Sequence, residues 1–350
     1  MPFYYRIDPN TAAGKRTAGR LLVLRKQLEE EVPRRTINDT LLLATWNIRE
    51  FDSPAYGERL DESFYYIAEI ISHFDLVAIQ EVRENLKGLD KLRKILGSYW
   101  RYIVTDVTEG RAGNKERMAF LFDSRKVDLG GLAGEVVIAP VKKGKKTYEP
   151  VRQLARTPFI CGFRAGWFKF LLCTVHILYG ASKADDPLRV KEIEELGKFL
   201  ARRAKQKTAW SNNLILLGDF NIFRPSDPTF KALTDVKFVI PDKIQKLPSN
   251  AAGNKHYDQI AFMLDKNRLG MEKAGVFDFY KSVFREEDEK TYIPAMSSSY
   301  YKTSKGKKRN AKSKRSYYKT YWRTHQMSDH LLMWVELKID FGKEYLRKME

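Results

Sequence analysis

The sequence is poor in cysteine and has no long apolar run. Its 350 residues include only two cysteines, Cys161 and Cys173, which cannot form a disulfide scaffold. We therefore expect a reducing intracellular compartment, most simply the cytoplasm. No stretch approaches the roughly 18 uninterrupted apolar residues that a membrane-spanning helix needs. The first residues also lack the charged and then apolar order of a secretory signal, so the sequence indicates no export.

Acidic residues are outnumbered by basic ones. The chain has 63 Lys and Arg against 44 Asp and Glu, which gives a formal net charge of +19. A surplus of this size points to an acidic partner, which could be nucleic acid, anionic lipid or another polyanion. Hydrophobic residues make up 43% of the chain and aromatic residues 13%, enough for a sizeable core, so a largely disordered chain is excluded.

The apolar residues fall in short runs that end in polar clusters from residue 41 onward, a pattern typical of buried strands. Helical spacing of apolar residues occurs over 11–32, 60–73 and 187–205. Many strands with few crossover helices favour two packed sheets flanked by helices over a single doubly wound sheet. The sequence therefore predicts an α/β fold. A lysine-rich stretch over 141–150 predicts an exposed hairpin tip or loop.

Polar residues with complementary chemistry stand at the ends of these apolar runs. They are Asn47, Glu81, His176, Asp219, Asn221, Asp258, Asp329 and His330. Any one of them is more simply explained as a turn or cap residue. Side chains at strand ends can nevertheless converge on one rim of a sheet, so the set as a whole predicts a site.

The residue types in this set suit metal-assisted hydrolysis. The oxygens of Glu81, Asp329 and Asn47 are hard ligands of the kind that Mg²⁺ takes, whereas ligands for structural zinc are nearly absent. A histidine beside a carboxylate has a fixed tautomer and a stabilised cation, which suits it to acid or base work near neutral pH. Phosphodiester hydrolysis needs a metal, a base for water and an acid for the leaving oxygen.

Seven short motifs in chain order resemble those of the endonuclease/exonuclease/phosphatase superfamily, most closely its deoxyribonuclease (DNase I-like) branch. The motifs are TWNIR at 45–49, IQEVR at 79–83, NKER at 114–117, TVH at 174–176, GDFN at 218–221, YD at 257–258 and SDH at 328–330. The resemblance covers residues 41–337. It implies a four-layer αββα sandwich of two packed, mostly antiparallel sheets flanked by helices, with a Mg²⁺-dependent phosphodiesterase site in which Mn²⁺ can substitute.

The resemblance also implies a role for each matched residue. Glu81 holds the metal with Asn47 and Asp329 close to it, and Asp219 and Asn221 orient the attacking water and the scissile phosphate. The remaining implied roles are His330 with Asp258 and His176 with Glu116 as acid/base pairs, and Arg83, Arg156 and Tyr257 as substrate contacts. Spacing does not say which histidine is the base, and we favour His330 as base and His176 as acid. Asn114 departs from the pattern, because the deoxyribonucleases resembled have a groove-contacting tyrosine there.

Two parts of the chain lie outside the resemblance. Residues 1–40 are predicted to be an N-terminal extension with one helix, followed by one domain over 41–340. Within that domain lies a basic, tyrosine-rich insertion at about 297–325, inside a longer stretch over 291–328 that has no Asp or Glu. It is either a solvated loop or a nucleic-acid-binding arm. Its position before Asp329 favours the arm, with 305–315 mobile, 317–322 a structured recognition surface, and Lys319, Trp322 and Arg323 contacting substrate.

The leading functional prediction is a Mg²⁺-dependent nuclease that acts on DNA, with RNA as a further substrate. A phosphoesterase acting on a lipid head group or a small phosphodiester is the first alternative, and the basic insertion argues against it. A catalytically silent nucleic-acid-binding module is the second, and it predicts missing ligands, whereas the full set is present. The sequence leaves the oligomeric state open.

Overall fold

Two β-sheets packed face to face form the centre of the protein, as seen in a computed structural model that describes residues 2–53, 57–110, 113–264 and 270–350. The strands are β1 (Thr40–Phe51), β2 (Leu76–Arg83), β3 (Trp100–Val104), β4 (Glu116–Asp123), β5 (Asp128–Glu135), β6 (Val141–Lys142), β7 (Tyr148–Glu149), β8 (Phe159–Ala165), β9 (Phe168–His176), β10 (Leu214–Asp219), β11 (Asp258–Met263), β12 (Met271–Phe277) and β13 (Leu332–Lys338). The α-helices are α1 (Ala12–Glu31), α2 (Asp61–Ser72), α3 (Lys87–Leu96), α4 (Pro187–Ala204), α5 (Pro228–Thr234), α6 (Asp242–Gln245), α7 (Glu289–Tyr292), α8 (Ala311–Tyr317), α9 (Arg323–Gln326) and α10 (Gly342–Leu346).

Each sheet is mostly antiparallel and contains one parallel pair of strands. The first sheet has the order β12-β13-β1-β2-β4-β3, with β1 and β2 parallel, and the second has the order β11-β10-β9-β8-β5, with β9 and β10 parallel. Strands β6 and β7 form a separate two-stranded hairpin, which confirms the prediction for 141–150. The predicted α/β fold of two packed sheets flanked by helices is confirmed.

Strand β1 shows why its apolar run is continuous. Leu41 and Leu43 lie in the core between the two sheets, where Phe120 and Phe163 also lie. Leu42, Ala44 and Trp46 project to the opposite face and join the core beneath the outer helices. Because successive strand residues point to opposite faces, a strand covered on both sides must be apolar at nearly every position.

Helices cover the outer faces of the sheets, and three of them have the bounds that the sequence predicts to within a residue or two. The side chain of Thr11 accepts a hydrogen bond from the Gly14 backbone and caps α1, and Asp186 caps α4 in the same manner ahead of Pro187. Helix α1 buries Leu24 and Leu28 in the same core as Trp46 of β1. The predicted N-terminal extension therefore supplies one of the outer helices.

The segment between β12 and β13 folds as a series of short helical elements. A 3₁₀ region over Ile293–Tyr300 is interrupted at Ser297, which has a φ of +54°, and α8 continues into a π-helix over Tyr318–Trp322 and then α9. Of the arm predicted to be mobile over 305–315, residues 311–315 belong to helix α8, which begins at Ala311. The Asn310 side chain accepts a hydrogen bond from the Ser313 backbone and caps this helix.

The described part of the chain contains no helix that is long and apolar enough to cross a membrane.

Candidate active site

The polar strand-end residues meet at one rim of the sandwich. Strands β1 and β2 end there, as do β9 and β10, while their antiparallel neighbours β4, β11 and β13 begin there. The rim therefore gathers residues that are as far apart in sequence as Asn47 and His330.

Asp219 lies at the centre of this rim because β10 is the middle of three strands. It pairs in register with His176 on one side and with Asp258 on the other. The preceding Gly218 has a φ of +131°, and a Cβ atom there would lie 2.2 Å from the carbonyl oxygen of Val175. Only glycine fits so close to the neighbouring backbone, so Gly218 fixes how Asp219 is presented to β9.

Two histidine–carboxylate pairs flank Asp219. Nδ1 of His176 lies 2.8 Å from Glu116, and Nδ1 of His330 lies 2.8 Å from Asp258. The Nε2 atoms of His176 and His330 lie 3.4 Å and 3.8 Å from the same Oδ2 atom of Asp219. With Nδ1 held by a carboxylate in each ring, Nε2 is the atom left to exchange a proton. The pairings implied by the resemblance are therefore the ones the structure brings together.

The carboxylates favour the charged form of both histidines. Burial lowers the pKa of His176, and the Arg156 charge lowers it further, but the Glu116 and Asp219 carboxylates outweigh both and raise the pKa above its usual value. Burial also lowers the pKa of His330, but Asp258 and Asp219 raise it well above the usual range. Burial raises the pKa of Glu116, but its contacts with His176 and Arg156 outweigh burial and lower that pKa to about 2.

A cluster of oxygen-bearing side chains, Asn47, Glu81 and Asp219, lies beside the two histidines. The Nδ2 atom of Asn47 donates to Glu81 and to Asp219, each at 3.0 Å, while its Oδ1 atom is buried without a hydrogen-bond partner among the described residues. The pKa of Glu81 is raised, first by burial and then by the like charges of Glu116 and Asp329, although His176 opposes them. An unpartnered amide oxygen and a destabilised carboxylate are what a hard cation would satisfy, so these residues fit Mg²⁺.

The backbone at Glu81 is unusual for a strand. The pairing register shifts between Ile79 and Val82, and Glu81 has a φ of +61°, a conformation that costs a non-glycine residue about 1–3 kcal/mol. Its Oε2 atom accepts a hydrogen bond of 2.7 Å from the Glu50 backbone, which holds the side chain in the rim. Among the described residues no group of three or more His, Cys, Asp or Glu side chains is arranged to bind a metal, so the predicted ligand set depends on the amide of Asn47.

The two predicted arginine contacts are both engaged with carboxylates of the rim. Nε of Arg156 lies 2.7 Å from Glu116, and Nε of Arg83 lies 2.7 Å from Glu50. The ring of Tyr257 stacks on His330 with 5.3 Å between centroids. Each of these three residues therefore borders the histidine pairs or, through Glu50, Glu81.

Asn221 is held rather than free. Its Nδ2 atom donates to the Ile177 carbonyl oxygen at 2.8 Å, its backbone N–H donates to Asp219 at 2.8 Å, and its φ is +53°. These bonds position Asn221 next to Asp219 and restrain the loop that leaves β10.

Trp322 and Arg323 do not lie on an accessible surface. Trp322 packs against Phe284 and Tyr292 in the core, and Arg323 is 4% exposed and donates to the Phe284 carbonyl oxygen. This corrects the expectation that both residues contact substrate, because neither side chain can reach a polymer without unpacking the insertion. Lys319 remains at the surface, where it forms an ion pair of 2.5 Å with Glu286.

Sequence reasoning missed two residues that support the rim. The buried guanidinium of Arg189 donates to the carbonyl oxygens of Asn221 and Ala181, and Glu50 joins Arg83 to Glu81. Arg189 falls four residues before Ile193 on the buried face of α4. The charge of Arg189 on the largely apolar face of α4 was the signal in the sequence that could have identified it as a buried supporting residue.

Relatives with similar sequences bear deoxyribonuclease names. A deoxyribonuclease of Thioalkalivibrio sp. (strain K90mix) is 34% identical over 189 residues, which cover 52% of this chain and 46% of the relative. Deoxyribonuclease-1 of Bos taurus is 33% identical over 121 residues, which cover 33% of this chain and 39% of the relative. The matches therefore span less than half of these relatives' own lengths. No family model matches the chain.

Solved structures share this fold at low sequence identity. An endonuclease/exonuclease/phosphatase family protein from Bacteroides thetaiotaomicron has a TM-score of 0.54 at 17% identity, covering 87% of this chain and 99% of that one. TDP2 of D. rerio complexed with a single-strand DNA product has a TM-score of 0.51 at 11% identity, covering 85% and 98%. The chain thus has the fold of the endonuclease/exonuclease/phosphatase proteins, and its sequence likeness is to deoxyribonucleases, which confirms the predicted resemblance.

Proposed function

We propose that this protein is a Mg²⁺-dependent phosphodiesterase, and specifically a nuclease that hydrolyses DNA. The observation that carries the proposal is the convergence of two imidazole Nε2 atoms on one carboxylate, Asp219, with each ring held from behind by a second carboxylate. Two proton-transfer groups facing one position are what hydrolysis requires, since water must lose a proton and the leaving oxygen must gain one.

In this reaction His330 accepts the proton of the attacking water and His176 donates a proton to the leaving oxygen. Asp258 and Glu116 keep the two rings in the tautomer that leaves Nε2 facing the substrate, and Asp219 with Asn221 orients the water and the phosphate. Arg156 and Arg83, beside Glu116 and Glu50, border the substrate path with positive charge. Tyr257 supports the His330 ring by stacking.

Glu81, Asn47 and Asp329 would hold the Mg²⁺ ion, which when bound neutralises charge on the phosphate oxygens. Mn²⁺ takes similar oxygen ligands and is expected to substitute. DNA is favoured as substrate because the relatives with similar sequences are named deoxyribonucleases and the chain carries a net charge of +19.

Relaxation of supercoiled plasmid tests the proposal directly. Wild-type protein should relax the plasmid with Mg²⁺ and not with EDTA, and a His176→Ala/His330→Ala variant should be inactive. His73→Ala is the matched control, because His73 lies at the end of α2, where its ring contacts the Glu69 carbonyl oxygen. Equal traces for the wild type and the double variant would refute the nuclease assignment.

The same preparation separates the alternatives. Phosphate or phosphocholine release from small esters with intact plasmid would favour a small-substrate phosphoesterase. Salt-dependent DNA binding without cleavage under any divalent ion would favour a silent binding module. RNA cleavage at a comparable rate would widen the substrate class.

A further inference from the structure

A large polar groove lies in the basic insertion, outside the part of the chain that carries the active-site motifs. This groove, which we call the 298–321 groove, has a volume of about 990 Å³ and runs between the 3₁₀ turns over Ile293–Tyr300 and helix α8 with the following π-helix. Its described lining contains seven serine or threonine side chains, two tyrosines and three cations, with no carboxylate. This lining supplies hydrogen-bond donors and positive charge, and it therefore suits an anionic ligand.

The helix that forms one wall divides its aromatic residues between two faces. Tyr318 and Trp322 stack four residues apart and are buried against Tyr292. Tyr317 and Tyr321 stack in the same manner, with centroids 5.3 Å apart, but they line the groove. The sequence pattern YY followed by YW therefore encodes one buried stack and one surface stack.

The surface stack is extended by a guanidinium at each end. Arg309 lies 4.7 Å from the ring centroid of Tyr317, and Arg49 lies 5.5 Å from that of Tyr321. The four side chains form a ladder, Arg309–Tyr317–Tyr321–Arg49. Because the ring faces already pack against one another and against guanidinium groups, they are not bare faces on which bases could stack.

Two basic residues outside the groove lining are neutralised by a carboxylate, whereas the three cations of the groove are not, within the part of the chain that the structure describes. Arg315 and Lys319 both pair with Glu286, at 3.4 Å and 2.5 Å. Among the described residues no carboxylate lies within ion-pair distance of Lys302, Arg309 or Lys312. Their charge therefore remains available to an anion.

The ladder leads from the groove to the active rim. Arg49 donates to Thr324 at 2.5 Å, and the backbone of Arg49 donates to Ser328, which in turn donates to the Asn47 carbonyl oxygen. The next residue, Glu50, binds Glu81 through its backbone N–H. One end of the ladder is thus two residues along the chain from a proposed metal ligand.

We propose that the 298–321 groove binds the sugar–phosphate backbone of a polynucleotide strand whose scissile phosphate occupies the active rim. The inference rests on the proposed nuclease function and extends its substrate site to the insertion. The strand is held through its phosphates by Lys302, Arg309 and Lys312, and binding in the groove is independent of base sequence.

Fluorescence anisotropy of labelled single strands, measured in EDTA so that nothing is cleaved, tests the groove. The variant Lys302→Gln/Arg309→Gln/Lys312→Gln should bind a strand of about 16 nucleotides roughly tenfold more weakly, and the slope of log affinity against log salt should fall by about 2, since each lost phosphate contact removes about 0.7. A strand of about 4 nucleotides tests whether binding in the groove requires a long strand. An abasic strand of the longer length tests whether binding requires bases.

A matched triple variant controls for general charge. Lys343→Gln/Arg347→Gln/Lys348→Gln removes the same charge at exposed positions around α10, which lies near the Gly166 turn at the opposite ends of the strands. This control should retain wild-type affinity for the longer strand. Lys302→Gln/Lys312→Gln leaves the half-buried Arg309 in place and should lower the slope by about 1.4.

Four results would overturn the groove. If both triple variants bind the long strand equally more weakly than the wild type, the groove contributes only general charge attraction. If the groove variant loses affinity for base-bearing strands but not for the abasic strand, the groove recognises bases. If the groove variant loses binding only to anionic phosphatidylserine vesicles, the groove is a lipid-binding surface. Deoxyribose and ribose strands run in parallel reveal any sugar preference.

If the wild type cleaves no phosphodiester but the difference between the triple variants stands, the nuclease function fails while the groove survives. If the wild type cleaves DNA but binds strands no better than the groove variant does, the nuclease function stands while the groove fails.

Discussion

The side-chain amide of Asn47 donates a hydrogen bond of 3.0 Å to Oδ2 of Asp219 and thereby joins the two sheets at the active rim. The same nitrogen also donates to Glu81, so both amide protons are used and the orientation of the amide is fixed. Oδ1 of Asn47 is left buried without a described partner. The residue thus links Asp219 of the second sheet to Glu81 of the first.

Asp219→Asn should lower kcat by at least about a hundredfold on DNA, because it removes the anion that both imidazole Nε2 atoms face. The side chain keeps its size, so the melting temperature should change little. Steady-state cleavage and thermal unfolding of the variant measure the two effects. Asp235→Asn, at an exposed position after α5, is the control and should behave as wild type. A kcat within about threefold of wild type would remove Asp219 from the reaction.

The acid and base roles can be separated with substrates that differ in leaving group. If His176 protonates the leaving oxygen, His176→Ala should lose about 100-fold or more on an ordinary phosphodiester and far less on a nitrophenyl ester, whose leaving group needs no proton. His330→Ala should lose activity on both. The ratio of kcat/KM values for the two esters, measured in each variant, gives the assignment. The reverse pattern would make His330 the acid.

The strand-end residues were predictable because each sits in a short local motif beside an apolar run. Asp219 follows an apolar strand directly, and its neighbours on β9 and β11 carry His176 and Asp258 at the paired positions. The register of the strands, and hence the central position of Asp219, follows from packing that involves residues far apart in sequence. The resemblance supplied the histidine–carboxylate pairings that local pattern alone left open.

The insertion shows where sequence reasoning failed. The insertion contains two aromatic pairs with the same four-residue spacing, Tyr317 with Tyr321 and Tyr318 with Trp322. The sequence alone does not indicate which pair faces the core. Contacts of Trp322 with Phe284 and Tyr292, more than 25 residues away, decide it. Residues 317–322 are structured, as predicted, but the prediction that the whole segment forms a recognition surface is wrong for Tyr318 and Trp322, which are buried.

Removal of the Glu81 charge should affect metal response and stability in opposite directions. Glu81→Gln should abolish most of the rise in melting temperature that Mg²⁺ gives the wild type, because a ligand that binds the folded state stabilises it. In EDTA the variant should be as stable as the wild type or more so, since burial and the neighbouring Glu116 and Asp329 charges disfavour the ionised carboxylate. Thermal scans with and without Mg²⁺ measure both effects. A wild-type response to Mg²⁺ in the variant would place the ion elsewhere.

Stability should fall in acid because of an ion-pair cluster remote from the active rim. Burial raises the pKa of Asp123, but its bonds to Arg125 and Arg35, at 2.5 Å and 2.7 Å, outweigh burial and depress that pKa far below its usual value. A depressed carboxyl pKa adds stability above the unfolded-state pKa of about 3.9, and this contribution is lost as the pH falls below that value.

Asp123→Asn should therefore lower the free energy of unfolding by about 2 kcal/mol at neutral pH and lose less stability than the wild type between about pH 5 and pH 3. Urea unfolding at a series of pH values measures both quantities. Asp128→Asn, at an exposed position in β5, should leave the curve unchanged. Arg35 belongs to the N-terminal extension, so its ion pair with Asp123 would anchor the extension to the sheets. If stability against pH for Asp123→Asn runs parallel to the wild-type curve, the Arg35–Asp123 ion pair does not provide this anchor.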